Sequence, residues 1–99
     1  MKEFEKQPTE NWPIAFEWKD KLPTGLSLGS GTVSAIRLDT GATDNSVLAS
    51  TVLTISGTQA LLRVQAGTSG IDYKITALVT LSDATSVLEE DVLMHVVAR

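Results

Sequence analysis

Cysteine is absent from the 99 residues, and histidine occurs once. Without thiols there are no disulfides, no thiolate chemistry and no sulfur-ligated metal. Basic clusters are missing too: eight lysines and arginines face twelve carboxylates, for a net charge of −4. Nucleic-acid binding draws on a positive patch that releases counterions, and an anionic membrane surface attracts the same charge. Neither is expected as a partner. No apolar run approaches the roughly 20 residues that cross a bilayer as a helix. The start lacks the apolar stretch of a secretory signal, so synthesis in a cytosol is expected. The length suits one domain with one modest core, which packing alone has to stabilise.

What aromatics there are lie mostly in one place. The stretch FEKQPTENWPIAFEW, Phe4 to Trp18, holds two of the three prolines, both tryptophans and both phenylalanines. Beyond Pro23 the chain turns to Thr, Ser, Gly, Val, Ala and Leu. In IDYKITALVTL, Ile71, Tyr73, Ile75, Ala77, Val79 and Leu81 point one way and Asp72, Lys74, Thr76 and Thr80 the other, with Leu78 out of place. Period two over such a run predicts a strand with one buried face. IAFEW sets Ile14, Phe16 and Trp18 inward, and ALLRVQA does the same with Leu62 and Val64. TVSAIRL and TVLTI are shorter β-branched runs. A last strand is expected within Val87 to Val97. Every one of these begins at or after Pro13. Turn signals separate them at intervals of about 8–12 residues, including LGSGT at Gly29 and SDAT at Ser82, and a helix has room only for a turn or two near Asp44–Ala49. The pattern predicts an all-β protein, an antiparallel β-sandwich of about six or seven strands in the immunoglobulin-like or fibronectin-like class.

Several motifs resemble chemistry. RLDTGAT, Arg37 to Thr43, carries the Asp39-Thr40-Gly41 triplet found at the active site of dimeric aspartic proteases, where two carboxylates share a proton. The elements that would brace and cover such a site are missing, and the triplet is equally good turn chemistry. LGSGT lacks the lysine and helix of a phosphate loop. His95 has no second histidine and no acid at metal spacing. Leu88 to Asp91, LEED, offers too few oxygens for a hard cation and reads as a charged strand entrance or a protected edge. Serines and threonines have no histidine placed to activate them. No catalytic residue, metal site or cofactor is expected.

The opening FEKQPTE, followed by IAFEW and LPTG and later by GTSGIDYKIT, LVTLSDATSVLEED and LMHVVAR, resembles the Ig-like fiber-tail adaptor family of tailed bacteriophages and prophages. The order of motifs agrees over nearly the whole chain. It departs in two loops: AGTSG stands where the family often has Gly-Gly, and Ala84 where it has glycine in the last hairpin. The resemblance implies a non-enzymatic structural subunit of the virion, made in the bacterial host cytoplasm. Such a subunit assembles with other phage tail or fibre proteins, with a homo-oligomer as an open alternative. Residues 1–12 are then an extended arm and 13–99 the sandwich. Pro8 and Pro13 favour extended backbone, and Phe4 and Trp12 are the anchors such an arm would offer. With Lys6, Pro8 and Glu10 they make up the candidate interface. Two alternatives stay open: an arm folded back over its own domain, and a stand-alone Ig-like module for adhesion.

Overall fold

The computed structural model describes residues 2–98; Met1 and Arg99, the outer bounds of the arm and the sandwich as expected from sequence, lie outside the described residues. Alternation does what the sequence predicts. Seven strands form, β1 (Lys2–Lys6), β2 (Trp12–Glu17), β3 (Leu28–Arg37), β4 (Thr54–Ser56), β5 (Gln59–Val64), β6 (Asp72–Leu81) and β7 (Val87–Val96), with one 3-10 turn at Asn45–Val47. They build a four-stranded sheet in the order β1-β7-β6-β3 and a three-stranded sheet in the order β2-β5-β4. The protein is an all-β sandwich.

The core lies where the inward faces meet. Tyr73, Ile75, Ala77, Val79 and Leu81 of β6 are buried, while Leu78 is exposed on the outer face. Opposite them stand Phe16, Ala60, Leu62 and Val64 of the smaller sheet. Trp18, fully buried just past β2, donates its backbone N–H to Thr58 O at 3.0 Å. Lys21 Nζ lies 5.4 Å from the centre of its ring. Burying a side chain of this size contributes about 1.5–3 kcal/mol.

One flank of the sandwich is stitched shut. Thr32 bridges Val52, Val33 N–H donates to Thr51 O, and Leu53 N–H donates to Gly31 O, both at 2.9 Å. This seam corrects the reading of LGSGT as a turn: Gly29 and Gly31 lie inside β3, with a register shift between Leu28 and Ser30. A Cβ at Gly29 would stand 2.9 Å from Thr80 O and one at Gly31 2.8 Å from Leu53 Cδ1. Glycine here admits a neighbour rather than bending the chain.

Nor do the strands begin only at Pro13. β2 starts at Trp12, and β1 lies wholly within the expected arm. It pairs in parallel with β7, from Lys2 opposite Val92 to Lys6 opposite Val96. Its sequence KEFEK carries a single apolar residue, so no alternation of hydrophobicity announces it; its partner strand supplies the order.

Candidate functional site

The candidate interface residues converge on one rim of the sandwich. Parallel pairing turns Phe4 and Lys6 to the core side with Met94 and Val96, and Glu3 and Glu5 to the outer face. Phe4 and Trp12 meet there with ring centroids 6.5 Å apart at 52°. Both are partly buried against the core. Between them, Gln7 to Glu10 forms a turn: Glu10 N–H donates to Gln7 O at 3.1 Å, and Gln7 N–H to Glu10 Oε1 at 2.6 Å. Pro8 sits on this turn, half-buried.

Lys6 does not reach out. It is 1 % exposed, and its ammonium donates to the carbonyls of Gln7 at 2.8 Å, Pro8 at 3.4 Å and Ala66. Three acceptors satisfy its three protons. Burial pushes its pKa down, while the nearby Glu10 carboxylate pushes it up. Lys6 thus pins the end of β1 to the loop before β6. Lys2 to Lys6 lie along the chain's own β7.

His95 has acidic neighbours after all, supplied by other strands. Nδ1 lies 2.8 Å from Asp72 Oδ1 on β6 and Nε2 3.4 Å from Glu3 Oε2 on β1. Hydrogen bonding to Asp72 raises its pKa most, desolvation opposes it, and the weaker hydrogen bond to Glu3 adds to the rise. The two carboxylates take opposite ring nitrogens, so they do not share one ion. Among the described residues no group of three or more such side chains is placed to hold a metal.

Asp39 sits exposed in the turn after β3. Arg37 Nε and Nη2 donate to its two oxygens at 3.1 and 2.9 Å, which holds its carboxyl below the usual range. Gly41 N–H closes the turn on Arg37 O at 2.8 Å. In LEED, Glu89 is exposed, Glu90 turns toward the core side opposite Ala77, and Asp91 accepts from Thr76 Oγ1 at 2.7 Å. Glu90 thus turns to the face opposite that of Glu89 and Asp91. Among the described residues β1 accompanies β7 only from Val92 onward, so Glu89 and Glu90 line an edge where charge opposes stray strand pairing.

A cleft separates the two sheets on the flank of β1 and β2. Its cavity of about 240 Å³ is lined by Phe4, Ile14, Phe16 and Val92 with Glu90 and Asp91 at one end. Phe4, Trp12 and Phe16 of the opening stretch therefore crowd one rim and one cleft.

A family model described as podophage GP4 fiber-tail adaptor protein gp77 matches residues 6–95. The chain belongs to that family. The adaptor match spans β2 to β7 and begins at Lys6, leaving most of β1 outside. The fiber-tail adaptor family indicates a structural role in the phage tail. Neither the curated proteins nor the solved structures compared with this adaptor give a match. Sequence reasoning missed β1, the Lys6 cradle and the neighbours of His95, since each depends on pairing between segments far apart in the chain.

Proposed function

We propose that this chain is a non-enzymatic subunit of a phage or prophage virion that joins tail and fibre proteins by contact, with the stretch up to Trp12 as its contact element and the sandwich behind it as the body. The family match over residues 6–95 carries this reading. An immunoglobulin-like strand order in the body agrees with it. Taking β2 to β7 as strands B to G, B, E and D share one sheet and C, F and G the other, with β1 lying across on the side of G. Thr68 N–H donates to the Tyr73 hydroxyl at 3.1 Å, near the start of F, the kind of corner that marks such sandwiches. The tryptophan differs: Trp18 follows B, whereas antibody domains carry theirs on C.

Phe4 and Trp12 are only partly buried, and aromatic anchors of this kind dominate interface energies. Asp39, exposed and bound to its own Arg37, supports a turn rather than a catalytic dyad. The test is capture of the cognate tail and fibre proteins by the purified full chain. Phe4→Ala and Trp12→Ala should each weaken capture by roughly tenfold or more, and Asp39→Asn should leave it unchanged. Peptide hydrolysis that disappears in Asp39→Asn would overturn the non-enzymatic reading; failure to bind any tail or fibre protein would overturn the adaptor.

A further inference from the structure

Opposite the stitched flank, the sandwich stays open. One wall of the cleft is β1, followed beyond Lys2 by β7 from Val87 to Glu90; the other is β2, paired among the described residues only with β5. The backbone of β2 is oriented for a further partner. Trp18 N–H donates to Thr58 O, on the β5 side. Peptide groups alternate in direction along a strand, so those of Ala15 and Glu17 turn away from β5. Pro13 shares their direction and has no N–H to leave unpaired there. Ala15 is exposed and lines the cleft.

Charge gives the cleft a sign. It shares Lys2, Glu90 and Asp91 with a wider depression that adds Lys21 and Glu89. With Glu3, four carboxylates and two ammonium groups line the pair, and of these Asp91 lies 3.7 Å from Lys74 Nζ and Glu3 lies 3.4 Å from His95 Nε2, both on the outer face. Glu90 is the most exacting of them. Its Oε2 is buried and accepts no hydrogen bond, and Lys21 Nζ stands 4.0 Å away. A buried carboxylate oxygen without a donor is costly, and a guanidinium is the donor best matched to it.

The geometry points to this cleft as the seat of an extended segment of a partner protein, added to β2 as a further strand, with every second side chain apolar and an arginine ending that row. The segment's backbone bonds to Ala15 and Glu17, its apolar side chains fill the space over Phe4, Ile14 and Phe16, and its arginine reaches Glu90. Edge addition of this kind takes affinity from the main chain and specificity from alternate side chains. A second copy of this chain is the wrong occupant, because each carries a net charge of −4 and would bring carboxylates to carboxylates. The inference rests on the adaptor reading and assigns it a binding site and a partner chemistry.

The probe is an acetylated, amidated heptapeptide in which arginine, valine, valine and arginine alternate with threonine, titrated into the full chain while backbone amide resonances are followed. A counterpart with glutamate in place of arginine is the control. Shifts should centre on Ala15, Glu17 and Glu90, and the acidic counterpart should bind at least about tenfold more weakly. Glu90→Gln should lower affinity for the basic peptide by roughly tenfold or more. Ala15→Pro, which removes only an outward N–H, should do the same; if that variant melts early, Glu90→Gln decides alone. Absent binding, equal affinity for both peptides, an unchanged Glu90→Gln, shifts on another face, or self-association through the cleft would each overturn the inference. Tail or fibre proteins captured equally by wild type and Glu90→Gln would refute the cleft and leave the adaptor standing. Capture of neither, with the peptide results intact, would refute the adaptor alone.

Discussion

At Ala84 the backbone adopts φ +61°, a left-handed conformation that costs a residue with a side chain about 1–2 kcal/mol. The hairpin between β6 and β7 imposes it. Asp83 accepts from Thr85 N–H at 3.1 Å, Ser86 N–H at 2.9 Å and the Ser86 hydroxyl at 2.7 Å, and Ala84 N–H donates to Leu81 O at 2.9 Å. Ala66, beside Gly67, shows the same sign at φ +49°. Both lie in the loops where the resemblance drawn from the sequence implies glycine, and both are held against alanine's own preference. Ala84→Gly relieves the strain but loosens the unfolded chain, for a net gain of about 0.5–1 kcal/mol. The melting temperature should rise by roughly 2–8 °C. An unchanged or lower value in calorimetry would mean that the hairpin relaxes around alanine.

Among the elements, β1 depends most on its surroundings. Deleting residues through Asn11 removes Phe4 from the core and the Lys6 ammonium from three carbonyls, a loss of about 2–4 kcal/mol that leaves β2 to β7 paired. Thermal melting should show one cooperative transition at a clearly lower temperature. An unchanged melting temperature would mean that the stretch is undocked in solution and acts as a loose arm. His95 ties β1 and β6 across β7, and its pKa is raised in the fold. A raised pKa means that the folded chain favours the protonated ring. That stabilisation is fully present below the ordinary histidine value of about 6.5 and is lost as pH climbs through the raised one. Melting temperature should therefore fall as pH climbs past about 6.5 and through the raised value, and His95→Gln should flatten that slope. The sequence made some elements plain and others invisible for physical reasons. β6 was legible because one buried face forces alternation. β1 was not, because charges surround its lone phenylalanine. LGSGT looked like a turn because its glycines make room for Leu53 and the backbone of β6, neighbours that no local pattern reveals. Of the candidate site, the aromatic crowding was readable, but the inward reach of Lys6 was not.

As a whole, the molecule is a sandwich with one sealed flank and one open flank, measuring 45 × 23 × 21 Å. The seam follows from Gly31 and Leu53, and the opening from a β2 edge with no neighbour, so contact surfaces are concentrated on one side of the body. The parallel pairing of β1 with β7 has a mechanical consequence. The first strand and the last run the same way side by side, so tension drawing the two ends of the chain apart slides one strand along the other. Hydrogen bonds that lie across the pull share the load and fail together, whereas a hairpin pulled open at its mouth loses them one by one. Because the sequence has no cysteine, thiol handles can be introduced at chosen points. Single-molecule pulling through handles at Lys2 and Ala98 should rupture the fold at a higher force than pulling through Asp72 and Val96, at the mouth of the β6–β7 hairpin. Equal forces along both directions would show that the terminal pair bears no load. A fold built this way yields least along the shared direction of β1 and β7.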